Sequence, residues 1–210
     1  MRTFIYVDAF NLYYGALKGT RFKWLNIERL CENLLRPEND ITSIKYFTAR
    51  VSARPDDPSQ PTRQQAYLRA LRTLPNMQII FGHFKKHKVI LPKVVSDEAE
   101  PPEFVEVIKT EEKGSDVNLA THLIHDAHLG NFEVAVIISN DSDLLEPIKI
   151  VRNELGKIVG TFSPYKAQRK GLLQQSSSFT RVIRKGALEA SQFPVRLTDG
   201  GGEFHKPDTW

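Results

Sequence analysis

Apolar runs alternate with helix-periodic segments along this chain, and that order predicts an α/β domain. FIYVDAF begins as a buried strand. From Asn26 to Leu35, the apolar positions Ile27, Leu30, Cys31, Leu34 and Leu35 recur at helical spacing, with Asn26 as the cap and Pro37 ending the segment. ITSIKYFTARV, rich in β-branched and aromatic residues, predicts a second strand, and RPDDPSQP a turn-rich loop with Arg50 and Arg54 on its rim. A helix capped by Thr62 is expected to run through Leu74. MQIIFGHF and KVILPKVV are expected to form two short strands around a basic link, KKHK. SDEAEPPE reads as an inserted polar loop, and FVEVIKT as a strand that resumes the sheet. Ser115 and Asp116 open a helix toward His128, closed by Gly130. VAVIIS then leads into a helix from about Ser142 to Leu155, KIVGTF gives a further strand, and RKGLLQQ a short helix before FTRVI. The expected division is a domain over residues 1–190 and a tail over 191–210. GALEASQFPVRL would begin as a helix and clasp the domain, with GGGEFHKPDTW mobile or dependent on a partner.

Composition narrows the class. With 210 residues, 40% of them hydrophobic, the chain supports one well-buried core more readily than two. Apolar stretches such as VAVII are far shorter than a membrane span, and the N-terminus lacks a signal-peptide pattern, so a cytoplasmic protein without membrane contact is expected. Cys31 is the one cysteine, which excludes an internal disulfide and a cysteine-based zinc site. A net charge of +4 permits a phosphate-rich partner without requiring one.

Aspartates stand where the apolar runs end. Asp8 follows FIYV, Asp116 lies in KGSDVN, and Asp141 and Asp143 follow VAVIIS in SNDSD. Strand-to-helix junctions are where an open parallel sheet presents its crevice, so converging carboxylates there would hold a hard cation such as Mg2+ or Mn2+. Helix capping is the competing use for the SNDSD residues. It explains Asp8 less well, because a carboxylate directly after a buried strand needs a partner.

VDAFNLYYG, KGSDVNLATHLIHDA and VAVIISNDSDLLEPIKIVRNELGKIVGTF, in this order, resemble the motifs of the NYN family of PIN-like metal-dependent ribonucleases, over most of the chain. The resemblance implies a PIN-like Rossmannoid three-layer sandwich with a central, mostly parallel sheet and a metal-dependent nuclease centre at its carboxyl edge. It carries over Asp8, Asp116 and Asp141 as the core acids, Asp143 as a further acid that binds metal directly or through water, and Asn11 as the family asparagine that orients Asp8 or a phosphate. Ala9 and Asn140 stand where many members have glycine, and His122 where many carry another aspartate. His122 lies six residues beyond Asp116, off its helical face, and reads as a supporting or structural residue. Glu111 and Glu112 are candidates for the missing negative charge.

The expected reaction is endonucleolytic hydrolysis of RNA. Lys18, Arg21, Lys23 and Lys113 are candidate phosphate contacts, and Tyr13 and Tyr14 candidate stacking platforms for single-stranded RNA. Trp24 reads as packing beside a helix entry, and Lys85, Lys86 and Lys88 as an extension of the groove. A catalytically silent RNA-binding or scaffolding module and a DNA- or structure-specific nuclease are the alternatives. A homodimer, or a protein partner bound through the C-terminal tail, is compatible with the sequence.

Overall fold

In a computed structural model describing residues 1–94, 103–165 and 171–210, six strands form one parallel sheet. They are β1 (Arg2–Asp8), β2 (Asp40–Thr48), β3 (Met77–Phe81), β6 (Val134–Ile138), β7 (Ile158–Ser163) and β8 (Phe179–Val182), in the order β3-β2-β1-β6-β7-β8. Between β3 and β6 the chain makes an antiparallel ribbon of β4 (His83–Pro92) and β5 (Phe104–Lys113). The helices are α1 (Ala9–Leu12), α2 (Ile27–Leu34), α3 (Gln60–Leu71), α4 (Ser115–His128), α5 (Leu145–Lys149), α6 (Leu172–Ser176) and α7 (Lys185–Ala190), and a hairpin of β9 (Arg196–Asp199) and β10 (Gly202–His205) follows. Among the described residues, no helix is long and apolar enough to cross a membrane.

Two packed cores, one on each side of the sheet, make the expected three layers. Ile5 and Val7 of β1 and Val134, Val136 and Ile138 of β6 join a cluster containing Leu12, Trp24, Leu30, Leu68 and Leu188. Tyr6, Ala135 and Ile137, at the alternate positions, join Leu119, Leu123, Ile148 and Val151 on the opposite face. Strand side chains alternate between faces, so strands covered on both sides must be apolar throughout, which is why FIYV and VAVII are continuous runs.

Several expected boundaries move. The helix predicted from Thr62 to Leu74 is α3, which starts at Gln60 with Pro61 in its first turn, where a missing N–H costs no hydrogen bond. The segment from Ser142 to Leu155 is helical in three pieces: a 3-10 turn (Ser142–Leu144), α5, and a π turn (Ile150–Glu154). KKHK is not a link. It lies inside β4, whose ten residues pair without interruption along β5. FVEVIKT, expected to resume the sheet, forms β5 in the separate ribbon. SDEAEPPE, except Glu103, lies outside the described residues, as do Arg169 and Lys170 of RKGLLQQ.

GGGEFHKPDTW, expected to be mobile, is built into the domain. Gly202 takes φ +99° in the hairpin, a conformation that favours glycine. Phe204 is buried, with the Arg69 guanidinium 4.1 Å from its ring centre, and Trp210 packs edge-on against Trp24 and Tyr67. Trp24 is fully buried and its indole N–H donates to the Pro194 carbonyl at 2.8 Å, in keeping with its expected packing role. Cys31 is a buried thiol.

A buried polar network ties α4 to the sheet. Lys45 Nζ donates to Asp126 Oδ2 at 2.5 Å, and the Tyr6 hydroxyl donates to the same oxygen at 2.7 Å. Asn131 Nδ2 donates to Asp126 Oδ1 at 3.1 Å. Burial works to raise the Asp126 carboxyl, but the hydrogen bonds from Lys45, Tyr6 and Asn131 outweigh it and hold it below the usual range.

Candidate active site

The strand order turns between β1 and β6: β2 and β3 extend to one side, β7 and β8 to the other. A crevice opens at the carboxyl ends of strands at such a switch point. Asp8 is the last residue of β1, and Asp141 follows β6 by three residues. Asp116 comes in from the first turn of α4. Carboxylate oxygens of Asp8, Asp116 and Asp141 lie within 4.8 Å of one another.

Hydrogen bonds fix two of these acids. Asp8 caps α1, its Oδ1 accepting the Asn11 N–H at 2.9 Å, while its Oδ2 accepts the Ser139 hydroxyl at 2.9 Å. Ser139 Oγ in turn accepts the Asp141 N–H at 3.0 Å, so one hydroxyl ties the two strand ends together. Asp141 caps the following 3-10 turn, Oδ1 accepting the Asp143 N–H at 3.0 Å. Capping and clustering thus coexist, since a cap occupies only part of a carboxylate. Asn11 Oδ1 accepts the Asn140 N–H at 2.9 Å, which holds the loop after β6 against α1.

Asp116 depends on the base of the ribbon. Gly114, at φ +96°, turns β5 into α4, and Glu112 Oε1 accepts from the Ser115 N–H at 3.2 Å and the Ser115 hydroxyl at 2.6 Å. Gly82 leaves room for this junction: a Cβ there would stand 2.6 Å from the Lys113 carbonyl oxygen.

Burial and charge crowding shift the carboxyl groups of the cluster upward. Burial raises the Asp8 carboxyl above its usual value, although hydrogen bonds from Asn11 and Ser139 oppose the rise. Burial, with the negative charges of Asp8, Asp141, Glu112 and Asp143, pushes Asp116 up to about 6. Three hard oxygen donors that repel one another, two of them hydrogen-bonded in place, are a donor set suited to a hard divalent cation.

The cluster opens into a cleft of about 610 Å³. Tyr13, Tyr14 and Tyr165 supply aromatic lining, Lys23, Arg54 and Arg63 cationic lining, and Trp210 of the tail part of the wall. The two early tyrosines flank the start of a π turn (Tyr13–Leu17), closed by the Lys18 N–H on the Tyr13 carbonyl at 2.7 Å. Arg63 is ion-paired with Asp57.

Not every candidate converges. Asp143 is exposed and lies outside the group of three acids, although its charge is felt by Asp116. Lys18 is near the rim, 4.9 Å from the Tyr14 ring centre. Arg21 pairs with Glu189 and Lys113 with Glu111, and neither lines the cleft. Glu112 lines it, whereas Glu111 is held by Lys109 and Lys113. His122 sits in the Lys45–Asp126 network, its Nδ1 3.4 Å from Lys45 Nζ; burial, then the Lys45 charge, lowers its pKa. Ser139 was not singled out in the sequence, though its position directly after a buried strand and before SNDSD's acids was a usable signal. Arg63, Tyr165 and Trp210 carry no local signal.

Fold and acid cluster together define an α/β protein of the Rossmannoid class with an acidic centre at its switch point. The chain belongs to the NYN domain family of PIN-like nucleases, whose model matches residues 2–183. It is 33% identical over its whole length to 6-hydroxy-3-succinoylpyridine 3-monooxygenase HspA of Pseudomonas putida, covering 75% of that protein. Among solved structures it resembles a protein of unknown function from Vibrio parahaemolyticus, with a TM-score of 0.55, 16% identity, and coverage of 91% of this chain and 96% of that one. That likeness shows the fold.

Proposed function

We propose that the protein is an endoribonuclease that hydrolyses phosphodiester bonds of single-stranded RNA, with Mg2+ or Mn2+ held by Asp8, Asp116 and Asp141. The observation that carries this reading is the convergence of three carboxylates from separate segments, within 4.8 Å, at the switch point of a NYN domain. When bound, a divalent cation would neutralise phosphate charge and make water a better nucleophile. The chain's own groups do the rest. Ser139 and Asn11 hold the strand ends in register, and Asp143, whose charge is felt at Asp116, orients the attacking water. Lys23 and Arg54 hold flanking phosphates, and Tyr13 and Tyr14 stack on unpaired bases.

A second reading comes from the full-length likeness to a monooxygenase acting on a pyridine. The aromatic and cationic lining that suits a nucleotide also suits a pyridine ring with an acidic side chain. One pair of assays separates them. Labelled single-stranded RNA with Mn2+, without reductant, should be cut internally. 6-Hydroxy-3-succinoylpyridine with NADH and O2 should show no oxygen uptake; oxygen uptake without RNA cleavage would overturn the hydrolase.

Cation binding should depend on pH in a definite direction. The folded-state pKa of Asp116, about 6, lies above its usual 3.8, so its contribution to stability is full below 3.8 and is lost as pH rises through about 6. A cation that requires the ionised acids compensates in that upper range. Millimolar Mn2+ should therefore raise the Tm clearly above about pH 7 and little below about pH 5. Equal shifts at both pH values, by scanning calorimetry, would contradict cation binding at this cluster.

A further inference from the structure

The β4–β5 ribbon leaves the cleft with one face continuous with the cleft wall. Phe84, Thr110 and Glu112 line the cleft. Phe84 pairs with Glu112, Lys86 with Thr110, Lys88 with Ile108, Ile90 with Glu106 and Pro92 with Phe104, so these alternate positions share one face from the cleft outward. Beyond the cleft that face is open: Ile108 is 72% exposed, Ile90 68% and Phe104 63%. Lys86 is exposed, and Lys88 makes only a surface ion pair with Glu106, 2.9 Å long. A two-stranded ribbon that leaves large apolar side chains in water has the character of a binding surface.

We propose that this face is a track for a single-stranded polynucleotide leaving the acidic centre, with Lys86 and Lys88 on its phosphates and Ile108, Ile90 and Phe104 as platforms for its bases. The proposal rests on the nuclease reading above. The order of groups favours this occupant, because cations come first beside the cleft and apolar platforms follow, over a ribbon about 30 Å long. A substrate confined to the cleft would not reach them. Affinity should therefore depend on strand length.

The test compares wild-type protein with Phe104→Ala/Ile108→Ser and with Lys86→Glu. Fluorescence anisotropy in EDTA, which prevents turnover, would follow labelled RNA and DNA oligonucleotides of about four and about twelve nucleotides. Wild-type protein should bind the longer strands more tightly. Phe104→Ala/Ile108→Ser should lose about tenfold on the longer strands and nothing on the shorter, whereas Lys86→Glu, beside the cleft, should weaken both lengths and flatten the salt dependence. Cleavage of the short RNA with Mn2+ should be unchanged in Phe104→Ala/Ile108→Ser, and the Tm unchanged in both variants. Wild-type affinity independent of length, or equal losses on both lengths in Phe104→Ala/Ile108→Ser, would overturn the track. So would a wild-type dimer by ultracentrifugation that Phe104→Ala/Ile108→Ser dissociates, since a second copy would then cover the face. Length-dependent binding that the variants weaken, with no cleavage by wild type, would instead keep the track and remove the hydrolase.

Discussion

Asp141→Asn is expected to lower RNA cleavage by about a thousandfold with the fold intact. Asparagine keeps the Oδ1 that accepts the Asp143 N–H, while the charge is lost and the other oxygen becomes an NH2 that cannot ligate a cation. Asp8→Asn should do the same, with the added disturbance that one acceptor facing Asn11 or Ser139 becomes a donor. A structural readout accompanies the kinetic one. Each substitution removes a negative neighbour of Asp116, so the Asp116 pKa should fall from about 6 toward the ordinary carboxylate range. Asp143, outside the group of three, should cost much less when replaced by Asn, about tenfold. Single-turnover cleavage alongside NMR titration of Asp116 would decide the matter. Full activity in both Asp8→Asn and Asp141→Asn proteins would refute the proposed centre.

The second large effect concerns stability. Lys45→Met should destabilise the domain by about 3–5 kcal/mol, because it strands the Asp126 carboxylate in a buried site. Lys45→Met/Asp126→Leu should recover only part of that loss, since it leaves no charge uncompensated but deprives the Tyr6 hydroxyl and the Asn131 amide of their acceptor. Urea denaturation of the two variants measures the difference, and a loss under about 1 kcal/mol in Lys45→Met would show that the pair is not needed. His122 belongs to the same network. Its distance from Lys45 and its lowered pKa give the imidazole a neutral, supporting role between α4 and the sheet, in line with its sequence position off the Asp116 face.

The parts of the fold that could be read in the sequence are those whose environment is uniform along the strand. β1 and β6 are covered on both sides, so their composition alone identified them, and the acids that follow them stood out by contrast. The ribbon is not legible in the sequence because solvent reaches both faces beyond the cleft, where lysines in mid-strand cost little and KKHK resembles a turn. Nothing in FVEVIKT specifies its neighbour, since the choice between β4 and the central sheet is made by pairing. The tail is illegible for a similar reason: three glycines suggest mobility locally, whereas Arg69 and Trp24 hold the hairpin, and Trp24 and Tyr67 hold Trp210, from distant segments. The cleft's far wall is built from such distant contributions, which is why Arg63, Tyr165 and Trp210 carry no signal in their own segments.

Ribbon and helix share one short joint. Glu112 ends in β5 yet caps Ser115, the residue beside Asp116, while Gly82 at the ribbon's other root admits the backbone that makes this possible. The arm is therefore coupled mechanically to the acid cluster. Fraying at its outer end, where few apolar contacts resist opening, should leave amide exchange in β1 and β6 slow, whereas opening at the root would release the cap and shift Asp116. On the proposed reading, whatever steadies the arm would also steady Asp116 against Asp8 and Asp141, so a strand bound on an exposed surface would tune the acidic centre from a distance.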